Sequence, residues 1–262
     1  MVDGEPTLLF ITYPGTLPRA AVYERATRAL NELGLELPAD ARLVERADDD
    51  WTERWKEGLA PLQVGPRLWI VPTWITTFTP PAGAAVIRLD PGMAFGTGQH
   101  ATTAMCLALV DECLAAGPVG SQSLFDVGCG TGVLALAAAL LGARRILAVD
   151  NDPIAVEVTM ENAAQNGLAS AIEATTTPLA EVRETFTTVA ANILAPTLIE
   201  MAADLVRVTA AGGRLIASGI LRPQADEVQD ALVAAAAQAG RTRFRQLQRR
   251  EQQEWAALVL GD

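Results

Sequence analysis

This chain carries little of what acid-base or metal chemistry normally uses. Among its 262 residues there is one histidine, His100, one lysine, Lys56, and three cysteines, Cys106, Cys113 and Cys129. A lone histidine argues against a His-rich metal site and against a Ser-His-Asp triad elsewhere in the chain. An odd number of cysteines without CxxC spacing indicates neither a disulfide framework nor a zinc site, so no metal is expected. Long apolar runs are also missing: stretches such as residues 133–141 stop well short of the ~20 residues a bilayer requires. Residues 1–6 open with acids rather than a basic, apolar signal, and a cytoplasmic location is expected. Cations are outnumbered, 20 Lys plus Arg against 31 Asp plus Glu, for a net charge of −11. Nucleic-acid affinity comes mostly from cations that neutralise phosphates, so a free polyanion is a poor partner and a basic protein a better one.

Half of the residues are apolar and 19% are charged, enough to bury a sizeable core. The length exceeds the ~100–200 residues of one ordinary domain, which favours a large domain with a small one attached. Residues 1–50 read as a small α+β module, with an apolar run at 8–12, a helical pattern over 18–33 and a short run at 43–44. Residues 51–60 read as a linker helix, with Trp51 and Trp55 on one face. Residues 61–262 form the main domain. Strand-like patterns at 68–71 and 85–87 open it, and after Thr102 strands and helices alternate. Strands are expected at 123–127, 145–149, 172–174, 188–191 and 214–218, with a closing hairpin over 244–248 and 256–260. Alternating βα units imply a mostly parallel sheet with helices on both faces.

Four features carry chemistry. The run Asp126-Val127-Gly128-Cys129-Gly130-Thr131-Gly132 leads an apolar strand through glycines into a helix, a turn that a ligand can approach closely. Its sixth position is Val133, where a dinucleotide fingerprint has Gly or Ala, which counts against a nicotinamide dehydrogenase. Asp150 ends the next strand 22 residues after Gly128, where a carboxylate can accept both ribose hydroxyls. A nucleoside without pyrophosphate is indicated, and S-adenosylmethionine fits. The loop from Asp90 to Thr103 enters a helix whose start favours an anionic group such as a methionyl carboxylate, with Thr103 as the contact; N-capping is an equal reading of Thr102 and Thr103. His100 reads as structural more readily than as a ligand contact. Last, Val189-Ala190-Ala191-Asn192 ends a strand at the same edge, and the Asn192 amide oxygen can accept hydrogens from an incoming amine. Asp152 reads as the N-cap of a helix with Pro153 at its first position.

On Asp90–Thr103 with its Phe95-Gly96-Thr97-Gly98 centre, Asp126–Gly132, Asp150-Asn151-Asp152 and Ala191-Asn192-Ile193-Leu194, the sequence resembles the PrmA methyltransferases, which modify the eleventh protein of the large ribosomal subunit. Gln99 before His100 and Ala101 after it leave the loop's signature intact. The likeness runs from Asp50 onward, including Trp51–Lys56 and Arg67-Leu68-Trp69-Ile70; earlier residues match only in layout. The resemblance implies a Rossmann-like, seven-stranded S-adenosylmethionine-dependent catalytic domain with a small N-terminal domain that recognises the ribosomal protein. It also implies trimethylation of lysine side chains and of the N-terminal amine. Cofactor contacts carry over to Thr103, Gly128, Asp150 and Asn192, with Asn192 also catalytic. A monomer without membrane or direct nucleic-acid contact is expected. Other readings are a methyltransferase of another protein or of nucleic acid, and a non-enzymatic nucleoside-binding regulator. The nucleic-acid reading favours Asn-Pro-Pro-Tyr where this chain has Asn192-Ile193-Leu194-Ala195.

Overall fold

A computed structural model describes residues 19–32, 59–90, 100–117 and 120–262. The chain divides into two compact units, residues 1–59 and 60–262. The expected elements at 8–12, 43–44 and 51–56, and the loop over 91–99, lie outside the described residues. In the first unit, helix α1 (Arg19–Glu32) buries Val22, Ala26 and Leu30, a stripe four residues apart down one face.

The second unit opens with a three-stranded sheet: β1 (Leu62–Gln63), β2 (Leu68–Val71) and β3 (Ala85–Arg88). Strand β1 runs antiparallel to β2, and β2 parallel to β3. Two polar joints hold this sheet. Asp111, 2% exposed on α2 (Ala101–Ala115), accepts from the Arg67 backbone N–H at 2.9 Å and pairs with its guanidinium at 2.6 Å. Removing the half-exposed Arg67 guanidinium would leave the buried Asp111 carboxylate without its charged partner. The second joint is Asn166, whose Oδ1 accepts from the Arg88 N–H at 2.7 Å while its Nδ2 donates to the Arg88 carbonyl at 2.8 Å. A single side-chain amide thus pairs with the edge of β3 as a neighbouring strand would.

The main sheet has seven strands: β4 (Ser123–Val127), β5 (Arg145–Val149), β6 (Glu173–Thr175), β7 (Phe186–Asn192), β8 (Thr209–Leu221), β9 (Arg245–Gln252) and β10 (Trp255–Gly261). Their order is β6-β5-β4-β7-β8-β10-β9. The first five are parallel, while β10 runs antiparallel to both β8 and β9. Period-two alternation builds both faces. Leu124, Ile146, Ala148, Ala190 and Ile216 join one core, which also takes in α2 and α3 (Val133–Leu140). Phe125, Leu147, Val149, Val189 and Leu215 join the other, beneath α5 (Ala195–Glu200), α6 (Ala202–Val208) and α7 (Ala225–Gln238). Phe125 and Phe186 are fully buried with ring centroids 4.9 Å apart, and truncating either would cost about 3–5 kcal/mol.

Helix α4 (Pro153–Gln165) starts at Asp152, whose Oδ1 accepts from the Ile154 N–H at 2.9 Å, and is followed by Gly167 at φ 70°. The N-cap of α2 differs from the threonine reading: it is His100, and Thr102 and Thr103 lie inside the first turn, both 1% exposed. The strand order reverses between β4 and β7, because β5 and β6 lie on one side of β4 and β7 on the other. That reversal opens a crevice beyond the strands' carboxyl ends.

Candidate active site

The crevice is a cavity of about 570 Å³. Its walls come from the ends of three neighbouring strands, Gly128 after β4, Asp150 after β5 and Asn192 closing β7, with Thr103 of α2 beside them. All four residues singled out in the sequence therefore line one space.

The glycine turn is shaped on both sides. Gly128, Gly130 and Gly132 have φ of 76°, 53° and 73°, the left-handed region that L side chains avoid. A β-carbon on Gly132 would sit 2.6 Å from Thr159 Cγ2, so that glycine admits α4. Thr159 Oγ1 donates to the Gly130 carbonyl at 3.1 Å, and Asn162 Nδ2 to the Thr131 carbonyl at 2.9 Å. On the other side, the Gly130 N–H donates to Asp150 Oδ2 at 3.0 Å. Asp150 Oδ1 accepts from the Asp152 N–H at 3.1 Å. Each oxygen accepts one such bond and retains a lone pair for a ligand hydroxyl.

Asn192 is tied in one direction only. Its Nδ2 donates to Thr103 Oγ1 at 3.2 Å, whereas its Oδ1 is buried with no hydrogen-bond partner. Ile193, next in sequence, donates its N–H to the Ser218 carbonyl at 3.1 Å and is pressed between two glycines. A β-carbon on Gly128 would lie 2.5 Å from Ile193 Cγ2, and one on Gly219 would collide with the Ile193 backbone.

Sequence reasoning missed Thr159, Asn162 and Gly219, and it read Asp126 only as part of the glycine motif. Asp126 is 1% exposed and lines the cavity, with Oδ2 accepting from the Ala135 N–H at 3.2 Å in the first turn of α3. Burial pushes its carboxyl up to about 8; the Ala135 bond opposes the rise and the Asp150 charge adds to it. A charged residue inside the apolar run Leu124-Phe125-Asp126-Val127 was the available signal. Cys106 and Cys129 are pushed up to about 12 by burial and Cys113 to about 11, so none is a thiolate nucleophile at neutral pH. Among the described residues no cluster of His, Cys, Asp or Glu forms a metal site.

The lining holds two carboxyl groups and, among the described residues, no lysine or arginine. Such a wall suits a nucleoside ligand that brings a sulfonium and an ammonium rather than phosphates. With the strand order, this defines the class: a Rossmann-like, S-adenosylmethionine-dependent methyltransferase. A profile of the ribosomal protein L11 methyltransferase (PrmA) family matches residues 19–261. The ribosomal protein L11 methyltransferase of Pelobacter propionicus is 44% identical over 227 residues, 86% of this chain and 71% of that protein. The Geobacter metallireducens protein of the same name is 46% identical over 197 residues, 75% of this chain and 63% of its own length. The crystal structure of ribosomal protein L11 methylase from Lactobacillus delbrueckii subsp. bulgaricus superposes with a TM-score of 0.67 at 31% identity, covering 78% of this chain and 98% of that one. The chain belongs to the ribosomal protein L11 methyltransferase family.

Proposed function

We propose that this protein transfers methyl groups from S-adenosylmethionine to lysine and N-terminal amines of ribosomal protein L11. The observation that carries the reading is Asn192 at the cavity wall, tied to Thr103 through Nδ2 while its buried Oδ1 has no hydrogen-bond partner. A buried amide oxygen left without a donor costs about 1–3 kcal/mol, and an amine nucleophile supplies the missing hydrogens. The nucleoside-binding regulator gives that oxygen nothing to do.

When bound, S-adenosylmethionine supplies an activated methyl on a sulfonium that departs as a neutral thioether. The protein's task is therefore the amine. A free lysine has a pKa of ~10.4, and only its neutral form has a lone pair to attack. The apolar wall formed by Ile193 and Leu194 desolvates the incoming amine and lowers that pKa, Asn192 Oδ1 orients it by accepting its hydrogens, and water takes the proton. Asp150 holds the ribose hydroxyls, Gly128 allows close approach of the cofactor, and Thr103 meets the methionyl end. No general base is assigned.

The proposal extends to organisation. Residues 1–50 recognise the ribosomal protein, 51–60 link, and 61–262 catalyse. The enzyme acts as a cytoplasmic monomer on a basic protein without direct nucleic-acid contact. No helix among the described residues is long and apolar enough to cross a membrane. Incubation with isotopically labelled S-adenosylmethionine and unmodified L11, followed by mass mapping, tests the reading: label on lysine and N-terminal amines is expected. Label on RNA, or on neither, overturns it.

A further inference from the structure

His100 is the only histidine, and it stands at the joint between α2 and β10. Its backbone is extended, φ −70° and ψ 136°, as an N-cap requires. The ring makes two kinds of contact at once. Nδ1 lies 2.7 Å from Thr102 Oγ1 and 3.4 Å from the Thr102 backbone N, which donates to it. The ring edge meets Trp255 of β10 with centroids 5.1 Å apart and planes at 66°.

The next residue in that first turn is Thr103, whose Oγ1 receives the Asn192 amide at 3.2 Å. A second tie runs from the β8 side, where Ser218 Oγ donates to the Thr102 carbonyl at 3.4 Å. The rotation of the first turn of α2 about its axis therefore sets where Thr103 Oγ1 sits, and that hydroxyl decides which way the Asn192 amide faces. We infer that His100 is a positioning residue for methyl transfer: it caps α2 and, through Thr103, keeps Asn192 Oδ1 turned to the substrate amine. Asn, Asp, Ser and Thr are the usual N-caps. Histidine at this position also sets an aromatic edge against Trp255, a contact the positioning does not require.

The inference rests on the methyl-transfer reading for its kinetic consequence, so the test has one arm that needs no turnover. His100→Ala, His100→Phe and His100→Asn are compared. Phenylalanine keeps a ring against Trp255 but has no acceptor; asparagine has the acceptor and no ring. With S-adenosylmethionine and L11, kcat is expected to fall about fivefold in the alanine and phenylalanine variants, with KM for L11 within twofold, and to return within twofold of the parent in the asparagine variant. In the ligand-free, 15N-labelled protein, the Asn192 side-chain NH2 signal, identified by its loss in Asn192→Ala, should shift in the first two variants and return in the third. An unmoved signal in His100→Ala, or an asparagine variant no better than alanine, overturns the inference. Inactivity of the parent enzyme on L11, with the amide behaving as stated, overturns the methyl-transfer reading instead.

Discussion

Gly219 lies so close beneath Ile193 that a β-carbon at position 219 would sit 2.8 Å from the Ile193 carbonyl carbon. Strand β8 therefore supports the end of β7 by backbone contact, one residue after the Asn192 to Ser218 pairing. Gly219 is also at φ 82°, where any L residue is strained. Gly219→Ala should push the Asn192-Ile193 segment outward. We expect kcat on L11 to drop at least tenfold with a stability loss of roughly 1–3 kcal/mol, checked by steady-state kinetics and denaturant unfolding. A variant with parental kcat would show that the segment's seat is not needed.

Asp150 binds the glycine turn through Gly130 and, in the proposed role, the ribose. Asp150→Asn keeps an acceptor for the Gly130 N–H and loses the charge. Cofactor binding should weaken about tenfold or more, since a hydrogen bond to a charged group is worth roughly 1.5–3 kcal/mol. Calorimetric titration with S-adenosylhomocysteine measures this directly, and undiminished affinity would contradict the ribose assignment.

Asn192→Ala removes the amide that faces the substrate and frees Thr103 Oγ1. Turnover should fall about 100-fold, while the S-adenosylhomocysteine dissociation constant changes less than about fivefold, because most cofactor contacts lie on Gly128 and Asp150. An unchanged rate would take Asn192 out of the mechanism.

Asp126 makes stability depend on pH. Its folded pKa of about 8 lies above the ~3.9 of an unfolded aspartate, so between those values the native state holds a proton that the unfolded chain has released. Stability from this group is complete below pH ~4 and falls as pH rises towards about 8, by at most ~1.4 kcal/mol per pH unit. Asp126→Asn keeps an acceptor for Ala135 and cannot ionise. Its Tm should decline less than the parent's between pH 6 and 9 in scanning calorimetry. Parallel curves would place the proton elsewhere.

The fold was legible where local pattern sufficed. Strands at 123–127 and 145–149 coincide with their sequence limits because each is a short apolar run cut off by turn residues. Strand β8 runs from Thr209, five residues earlier than expected: Thr209 pairs with Phe186, and the register shifts across Ala210, Ala211 and two glycines, which carry no strand signal of their own. Of the two readings left open for Thr102 and Thr103, the capping one does not hold: burial draws both threonines into the helix and leaves the position to His100. Thr103, Gly128, Asp150 and Asn192 could be picked out because each stands at a strand or helix end next to a motif. Gly219, Thr159 and the Arg67 to Asp111 joint were invisible because their need arises only from contacts 26 or more residues away.

The three strand ends that enclose the cavity belong to β4, β5 and β7, so the pocket does not exist until residues near 126, 150 and 192 have met in parallel register. Parallel pairing of this kind closes long loops before it gains contacts, and it is slow. A nascent or half-assembled chain thus has no grip on the methyl donor, and retention of S-adenosylhomocysteine during refolding marks the moment at which the last of these pairings completes.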